Sequence, residues 1–477
     1  MSPHVPAITD VEAAARAAVP AARIAARSRP EDRARWLRGI ADALDSSVHR
    51  LVAIAAGETG STEARLTGEV ARTSGQLRMF ADAVLEGSYL EAVVDHADPR
   101  ATPPRPDLRR VLVPLGPVAV YAASNFPFAF SIAGGDTASA LAVGCPVIVK
   151  AHPGHPVTSR ATASLVRDAL HVAGAPDGIF AVVAGFDAGL ELIDHPVIRA
   201  AAFTGSVRGG RALADRAAAR PAPIPFFGEL GSLNPVVVTA TEDAARGDEL
   251  AAGLAASFTL GAGQLCTKPG LVLVPAGSAL ERALPGHVPA GAAAMLTEGI
   301  AAAHLDGTAR LAGVAGVRTP IRPTEPGAPA LLAVDAADFL PQARVLTEEV
   351  FGPTTLLVRY ASPAERDAVI AALPGSLTAT LHAEADDQDA AALAEALSER
   401  AGRVLFAGWP TGVAVTWAQH HGGPWPSSTS QHTSVGVTAM RRFQRPIAYQ
   451  DAPHELLPPA LRDDWRGPRR VDGALRG

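Results

Sequence analysis

The sequence predicts an α/β fold, with a doubly wound, Rossmann-like parallel sheet followed by a second α/β unit and a small arm. Between residues 118 and 229, short apolar stretches alternate with stretches of helical periodicity, which is typical of consecutive βαβ units. A second alternating set follows residue 234. A chain of 477 residues is also too long for one hydrophobic core. We therefore expect three units, at residues 1–233, 234–425 and 426–477.

The first unit is expected to begin with helices. Apolar residues between 31 and 44 recur with the spacing of an amphipathic helix, whereas the proline-rich stretch 97–108 predicts a connection. Two strands, 111–113 and 118–121, then flank a turn at Gly116 and Pro117. The alternation continues with helix 128–142, strand 147–149, helix 159–172, strand 179–183, helix 189–193, strand 200–203, helix 209–219 and strand 224–227.

The second unit is expected to start with a helix near 244–260, which leads into a glycine-containing loop. Strands are predicted at 271–274, 345–346 and 354–358, and helices at 362–373 and 386–398. From residue 441 onward the chain is rich in proline, and we expect it to dock on another surface without forming a core.

Composition excludes several classes of protein. The net charge of −6 gives no basic surface for nucleic acid, and no apolar run approaches the roughly 20 residues that span a bilayer. The first residues lack the pattern of a secretory signal. Two cysteines cannot build a disulfide framework. These features predict a cytoplasmic protein that binds neither nucleic acid nor membrane.

Cys266 follows a Gly-x-Gly loop, which could present a nucleophilic thiolate to a cleft. Lys268 is a candidate for the cation that lowers the pKa of this thiol. The alternative is that Cys266 is a buried, inert cysteine, which is the interpretation that suits Cys145 between a glycine and a proline. Lys268 and Lys150 are the two lysines of the sequence, either because their sites need a compact ammonium or by chance.

Three further residues follow predicted strands, where the ligand crevice of an α/β sheet lies. Partial burial would raise the pKa of Glu229 and suit it to activate water, although it could equally be a helix cap or a solvated side chain. Asn125 could donate to an oxyanion, although locally an Asx-turn before proline explains it better. Lys150 could reach a nucleotide's ribose or phosphate.

Gly205 and Ser206 lie between a strand and a helix, where backbone N–H groups and a hydroxyl could bind phosphate. The motif is weak, because it is not the usual dinucleotide fingerprint.

In order and spacing, six motifs resemble those of the aldehyde dehydrogenase superfamily over nearly the whole chain: Ala123–Pro127, Val147–Lys150, Phe203–Ser206, Glu229–Gly231, Gly261–Cys266 and Glu348–Pro353. The resemblance implies that Cys266 is the nucleophile, Glu229 the base and Asn125 part of the oxyanion hole. It also implies that the cofactor is bound by Lys150, Gly205, Ser206, Glu349 and Phe351, with no metal.

The implied reaction is attack of the Cys266 thiolate on an aldehyde, hydride transfer from the thiohemiacetal to NAD(P)+, and hydrolysis of the thioester by water that Glu229 activates. Relatives that transfer the acyl group to coenzyme A generally lack this glutamate, so its presence favours hydrolysis. The resemblance further implies a homo-oligomer, dimer or tetramer, with an arm formed by a hairpin near 105–117 and part of the C-terminal segment.

Additional stretches are similar to the bacterial NADP-type branch that includes α-ketoglutaric semialdehyde dehydrogenases: Phe130–Ala140, Cys266–Pro269, Pro410–Val413, His421–Pro424, Thr433–Gly436 and Arg442–Pro446. The run 427–433, however, is a residue short and lacks an arginine often seen there, which argues against a dicarboxylic semialdehyde and keeps a broad aliphatic or aromatic aldehyde dehydrogenase as the alternative. Pro153, where NAD-preferring members often carry a glutamate, favours NADP. Phe186, in place of an arginine that would bind the 2′-phosphate, keeps NAD as the alternative.

Two other classes of function compete with this one. A cysteine acyl-transfer or hydrolytic enzyme would need no redox cofactor, and the nucleotide-type alternation argues against it. A non-catalytic scaffold is disfavoured by six intact chemical motifs.

Overall fold

Helices and strands alternate along most of the chain in the computed structural model, which describes residues 10–384 and 386–476. The helices are α1 (Val11–Ala25), α2 (Pro30–Ser46), α3 (Val48–Thr59), α4 (Glu63–Glu86), α5 (Gly135–Val143), α6 (Pro156–Val172), α7 (Phe186–Asp194), α8 (Val207–Ala218), α9 (Ala240–Thr259), α10 (Ala279–His287), α11 (Glu298–Ala312), α12 (Ala336–Phe339), α13 (Ala343–Leu346), α14 (Pro363–Ala372) and α15 (Ala390–Ser398). Residues 1–9 of the first predicted unit lie outside the described residues.

Over residues 10–384 and 386–476, the strands are grouped into three sheets. They are β1 (Val93–Asp95), β2 (Leu108–Pro114), β3 (Val118–Tyr121), β4 (Val147–Lys150), β5 (Phe180–Val183), β6 (Ala200–Thr204), β7 (Phe226–Glu229), β8 (Val236–Val238), β9 (Leu271–Pro275), β10 (Arg318–Ile321), β11 (Ala330–Asp335), β12 (Thr354–Tyr360), β13 (Ser376–His382), β14 (Ala401–Phe406), β15 (Gln444–Gln450), β16 (Arg469–Val471) and β17 (Ala474–Arg476).

The first sheet is wholly parallel, with strand order β5-β4-β3-β6-β7. Its register places Tyr121 beside Lys150 and Thr204 beside Glu229 at one edge. The predicted alternation is confirmed here, and the carboxyl ends of four neighbouring strands meet where the sequence placed its candidate site residues.

The helix predicted at 128–142 was wrong in its first half, because α5 begins only at Gly135. The backbone amides of Phe128 and Ala129 donate to the buried Glu69 carboxylate of α4, at 2.8 and 2.9 Å. At Gly134 a Cβ would lie 2.5 Å from the Ala129 carbonyl oxygen, so the turn before α5 requires glycine. These contacts hold the segment that follows Asn125 as a compact turn.

The second sheet has the order β10-β11-β12-β9-β8-β13-β14 and is parallel apart from β10. The strand predicted at 345–346 was wrong, since these residues end the short helix α13. Leu346 is buried in the core on one face of this sheet, so its apolar character reflects packing of a helix. An apolar pair alone does not separate these two structures.

The third sheet joins distant parts of the chain in the order β15-β2-β1-β16-β17. The segment of the hairpin expected near 105–117 contains β2, whose antiparallel neighbour in the chain is β1, and the turn at Gly116 and Pro117 leads into another sheet. β2 pairs along its length with β15 and at its start with β1, while β3 belongs to the first sheet. The C-terminal segment was expected to dock on another surface without forming a core, but it contributes to one. Leu457 and Leu461 are buried with Val94 and Val111 in a small core of their own.

Among the described residues, no helix has both the length and the apolar character needed to cross a lipid bilayer.

Candidate active site

Cys266 lies in a loop between α9 and β9 whose backbone is forced into an unusual path. Gly261, Ala262 and Gly263 all have positive φ angles, and a Cβ on Gly263 would lie 2.3 Å from the Gly352 carbonyl group. The Asn234 amide donates to the Cys266 carbonyl oxygen at 2.8 Å and to that of Lys268 at 2.9 Å. The loop is therefore fixed on both sides, and the cysteine itself stays partly exposed.

Cys266, His421 and Glu229 form one contacting group. The Cys266 Sγ lies 3.5 Å from His421 Nε2, which lies 3.0 Å from Glu229 Oε1. The Ser434 hydroxyl donates to the other carboxylate oxygen of Glu229. His421 Nδ1 is buried without a hydrogen-bond partner among the described residues, so Nε2 is the ring atom that donates to Glu229.

The electrostatics differ from those predicted for Glu229. Burial raises the pKa of this carboxyl, but the charge of His421 and hydrogen bonds from His421, Ser434 and Cys266 outweigh it, so the pKa is lowered. The expectation of a raised pKa was wrong, because it considered desolvation without these partners. Glu229 is therefore an anion ready to accept a proton.

The Cys266 thiol is strongly disfavoured as a thiolate while Glu229 is charged. Burial, followed by the charge of Glu229 and its hydrogen bond, raises the pKa of Cys266 well above its usual value. The Arg72 guanidinium on α4 acts in the opposite direction. The cysteine thus rests as a thiol, and the charge of Glu229 opposes formation of its thiolate.

Lys268 does not supply the activating cation. Its ammonium is buried and donates to the carbonyl oxygens of Val350 and Thr354, at 3.0 and 2.7 Å. The expectation that Lys268 lowers the pKa of Cys266 was therefore wrong, and the lysine ties the 350–354 segment to the cysteine loop. Cys145, in contrast, is buried as expected, its Sγ contacts the Phe443 carbonyl oxygen, and burial raises its pKa to about 12.

Two N–H donors lie in or against the loop that carries Cys266. The buried Asn125 amide donates to the Gln264 carbonyl oxygen at 3.0 Å, which places it against the cysteine loop and leaves its second N–H hydrogen available. Within the described residues, the Cys266 backbone N–H makes no hydrogen bond. Two such donors at a nucleophile are what a developing oxyanion requires.

The carboxyl edge of the first sheet carries the other candidate residues. Ser206 caps α8 by accepting from the Gly209 amide at 3.2 Å, and both Gly205 and Ser206 are exposed. Lys150, at the end of β4, makes no hydrogen bond or ion pair with any residue in the described part of the chain. Burial lowers the pKa of this ammonium. An unpaired cation at the same sheet edge as an open helix N-terminus fits a phosphate-bearing ligand.

Glu349 and Phe351 reach the site from the second sheet. A Cβ on Gly231 would lie 2.3 Å from Glu349 Oε2, so this carboxylate packs closely against the turn that follows Glu229. Burial raises the pKa of Glu349. Phe351 is half-buried next to Gly352, whose carbonyl group contacts Gly263. Both residues thus border the space between the two sheets.

One donor set among the described residues could hold a metal ion. The ligating atoms of Glu229, Cys266 and His421 all lie within 4.8 Å of one another. Because these side chains also form an acid–base group around one thiol, the same geometry serves nucleophilic catalysis.

The sequence predictions missed His421, Ser434 and Arg72. His421 and Ser434 belong to motifs noted for their resemblance, but they contact Glu229 across 192 and 205 residues of chain. No local pattern predicts such contacts. The available signal is that a nucleophilic cysteine often has a histidine partner distant in sequence, and His421 lies in one of the motifs quoted above.

Comparison with known proteins gives a consistent result. Residues 4–284 match the aldehyde dehydrogenase family. The chain is 47% identical over 451 residues to "Alpha-ketoglutaric semialdehyde dehydrogenase 2" of Azospirillum brasilense, covering 90% of this chain and 85% of the relative. It is 40% identical over 468 residues to "Alpha-ketoglutaric semialdehyde dehydrogenase" of Acinetobacter baylyi, covering 96% and 89%.

Among solved structures, the fold is similar to that of a Thermus 1-pyrroline-5-carboxylate dehydrogenase with bound NAD, with a TM-score of 0.76 and 23% identity. The similarity covers 93% of this chain and 86% of that one.

Proposed function

Since the chain belongs to the aldehyde dehydrogenase family, we propose that it oxidises an aldehyde to a carboxylic acid with Cys266 as the nucleophile and Glu229 as the base. The observation that carries this assignment is the contacting group of Cys266, His421 and Glu229 at the carboxyl edge of the first sheet. Asn125 and the Cys266 N–H supply the oxyanion hole.

The chemistry begins when the Cys266 thiol loses its proton to solvent, because the raised pKa of the thiol and the lowered pKa of Glu229 oppose transfer to that carboxylate. The thiolate attacks the aldehyde carbon, and the oxyanion of the thiohemiacetal is held by the Asn125 amide and the Cys266 N–H. A bound oxidised nicotinamide cofactor would supply the acceptor for the hydride that leaves the thiohemiacetal. Glu229 then takes a proton from the water that hydrolyses the thioester, and His421 and Ser434 hold the carboxylate in place.

The residues present fit the cofactor. Lys150, Gly205 and Ser206 would hold its phosphates and ribose, while Glu349 and Phe351 would border the nicotinamide end. NADP is the proposed cofactor and NAD the alternative. Pro153 leaves no carboxylate against a 2′-phosphate, whereas the exposed Phe186 offers no cation to it.

The proposed substrate is an aldehyde that carries a distal carboxylate, with 2,5-dioxopentanoate (α-ketoglutaric semialdehyde) converted to 2-oxoglutarate as the specific candidate. Similarity at 47% and 40% identity to two enzymes of that name, over most of each chain, supports it. The broader alternative is a general aliphatic or aromatic aldehyde dehydrogenase, which the missing arginine in the run 427–433 favours.

We further propose a cytoplasmic homo-oligomer. Two free cysteines fit a reducing compartment. The third sheet, where β2 and β15 pair, offers edge strands for an arm that contacts a neighbouring subunit. The three units stay as proposed from the sequence: 1–233 for the cofactor, 234–425 for the nucleophile and 426–477 for the arm.

A panel of ω-carboxylic, aliphatic and aromatic aldehydes, assayed with NAD+ and NADP+ side by side, tests the proposal. We expect reduced cofactor to form with ω-carboxylic substrates, Cys266→Ala to abolish the activity, and Cys145→Ala to retain it. Full activity of Cys266→Ala, or product formation without any dinucleotide, would contradict the mechanism.

A further inference from the structure

Two arginines on one face of α4 lie over the phenylalanines that follow the oxyanion-hole asparagine. The Arg65 Cζ lies 5.3 Å from the Phe126 ring centroid, and the Arg72 Cζ lies 5.1 Å from that of Phe130. The two rings contact each other edge to face, with centroids 5.4 Å apart. Because seven residues make about two helical turns, both guanidinium groups face the same wall of the site.

This wall is joined to the catalytic group through Arg65. Its guanidinium donates to the Asn125 carbonyl oxygen at 2.7 Å and to the Ser61 hydroxyl at 3.2 Å. It also lies 3.6 Å from the position that a Cβ on Gly261 would occupy. Arg65 therefore positions the asparagine and the cysteine loop, and each of its two Nη atoms already makes a hydrogen bond to the protein.

Arg72 is different, because its guanidinium has no carboxylate or carbonyl partner. Within the described residues it makes no hydrogen bond or ion pair, and its contact with Phe130 is through the ring face. The nearest acid on its own helix, Glu69, points its Oε1 at the amides of Phe128 and Ala129. A half-buried guanidinium without an anion has donors to offer to a ligand.

The Arg72 guanidinium is close enough to Cys266 for its positive charge to lower the pKa of that thiol. The charge of Cys266 also acts on the pKa of Arg403, but the two Nη atoms of Arg403 donate to the carbonyl oxygens of Pro410 and Gly412. The Arg403 Nε is buried without a partner, but of these two arginines Arg72 is the one whose guanidinium makes no hydrogen bond at all within the described residues. The run 427–433, where an arginine was expected, instead bonds to β7 through backbone and hydroxyl groups.

From this geometry we infer that Arg72 binds the distal carboxylate of the substrate, with Phe126 and Phe130 forming the apolar wall along which the carbon chain lies. The inference rests on the proposed aldehyde oxidation and adds to it the residue that selects ω-carboxylic aldehydes. A guanidinium and a carboxylate can form two parallel hydrogen bonds, which fixes the chain end and points the aldehyde toward Cys266.

The test compares succinic semialdehyde with its methyl ester, which has the same chain without the charge. We expect Arg72→Met to lower the ratio of kcat/KM for the acid to kcat/KM for the ester by about 10- to 100-fold, mainly through KM of the acid. Arg72→Lys should recover part of the ratio. Arg78→Met is the matched control, because Arg78 lies on the same helix but pairs with Asp42 and Asp45 at the surface.

An equal loss on both substrates, or an unchanged ratio in a folded Arg72→Met protein, would overturn the inference while leaving the aldehyde oxidation intact. Failure of the unmodified protein to oxidise either substrate would instead count against the proposed function. Far-ultraviolet circular dichroism of each variant identifies misfolding. If Arg72→Met is misfolded, Arg72→Lys decides between the outcomes. An acid-to-ester ratio of kcat/KM equal to that of the unmodified protein, together with an unchanged KM for the acid, would overturn the assignment.

Discussion

Replacing Glu229 with glutamine separates two roles that the structure gives to one carboxylate. Glutamine keeps an oxygen for His421 and a polar group for Ser434, so the buried hydrogen bonds can be retained. It removes the negative charge and the ability to take a proton. Glu229→Gln is therefore expected to change Cys266 reactivity and thioester hydrolysis in opposite directions.

The charge of Glu229 is a leading cause, after burial, of the raised pKa of Cys266. Removing that charge lowers the pKa of the thiol and raises the thiolate fraction at neutral pH. The gain is partly offset because a less basic thiolate is a weaker nucleophile, so we expect alkylation by iodoacetamide to accelerate about threefold or more. Hydrolysis loses its general base, and turnover should fall by about 10²- to 10⁴-fold.

Two assays read these effects independently. Iodoacetamide incorporation is followed across pH without substrate, and rapid-mixing absorbance of the reduced cofactor is followed with aldehyde. The variant should show a burst of about one equivalent per site, followed by slow turnover. Glu348→Gln, at an exposed glutamate paired with Arg310, is the control and should resemble the unmodified enzyme. Slower alkylation of Glu229→Gln, or turnover without a burst at the normal rate, would refute the reasoning.

Three other perturbations follow from the same contacts. His421→Phe removes one of the partners that lower the pKa of Glu229, so the pKa of that carboxyl should rise. The acid limb of the kcat–pH profile should then move to higher pH, and an unmoved limb would contradict this role of His421. Burial raises the pKa of Glu69 to about 7. The contribution of Glu69 to the free energy of unfolding is therefore fully present below about pH 4.5 and falls by up to about 3 kcal/mol as the pH rises to 7. Glu69→Gln should therefore show a smaller fall in apparent Tm between about pH 5 and pH 8 than the unmodified protein, measured by thermal denaturation, and a parallel fall would refute the assignment. Lys150→Met should weaken NADPH binding by about 10- to 100-fold in fluorescence titration while leaving iodoacetamide labelling of Cys266 unchanged, and unaltered affinity would exclude Lys150 from the cofactor site.

Much of the first sheet was predictable, because its strands are short, apolar and separated by amphipathic helices. The position of Glu229, Lys150 and Ser206 at one edge follows from the parallel topology alone. That topology places residues far apart in sequence within one crevice.

The remaining features depend on contacts across long stretches of chain. β2 pairs with β15 and not with its sequence neighbour β3, since the chain passes from one sheet to another at Gly116. The partners of Lys268 are backbone carbonyl oxygens, which no side-chain pattern reveals. The pKa of Glu229 depends on His421, and its direction could not be predicted from burial alone.

The most direct test of the central claim is identification of the acylated residue. Glu229→Gln is mixed with aldehyde and oxidised cofactor, quenched in acid, digested and analysed by mass spectrometry. We predict an adduct on the peptide containing Cys266 whose mass is that of the aldehyde less two hydrogens, and none on the peptide containing Cys145. Product formation with no adduct on Cys266, or an adduct on another residue, would contradict the assignment of Cys266 as the nucleophile.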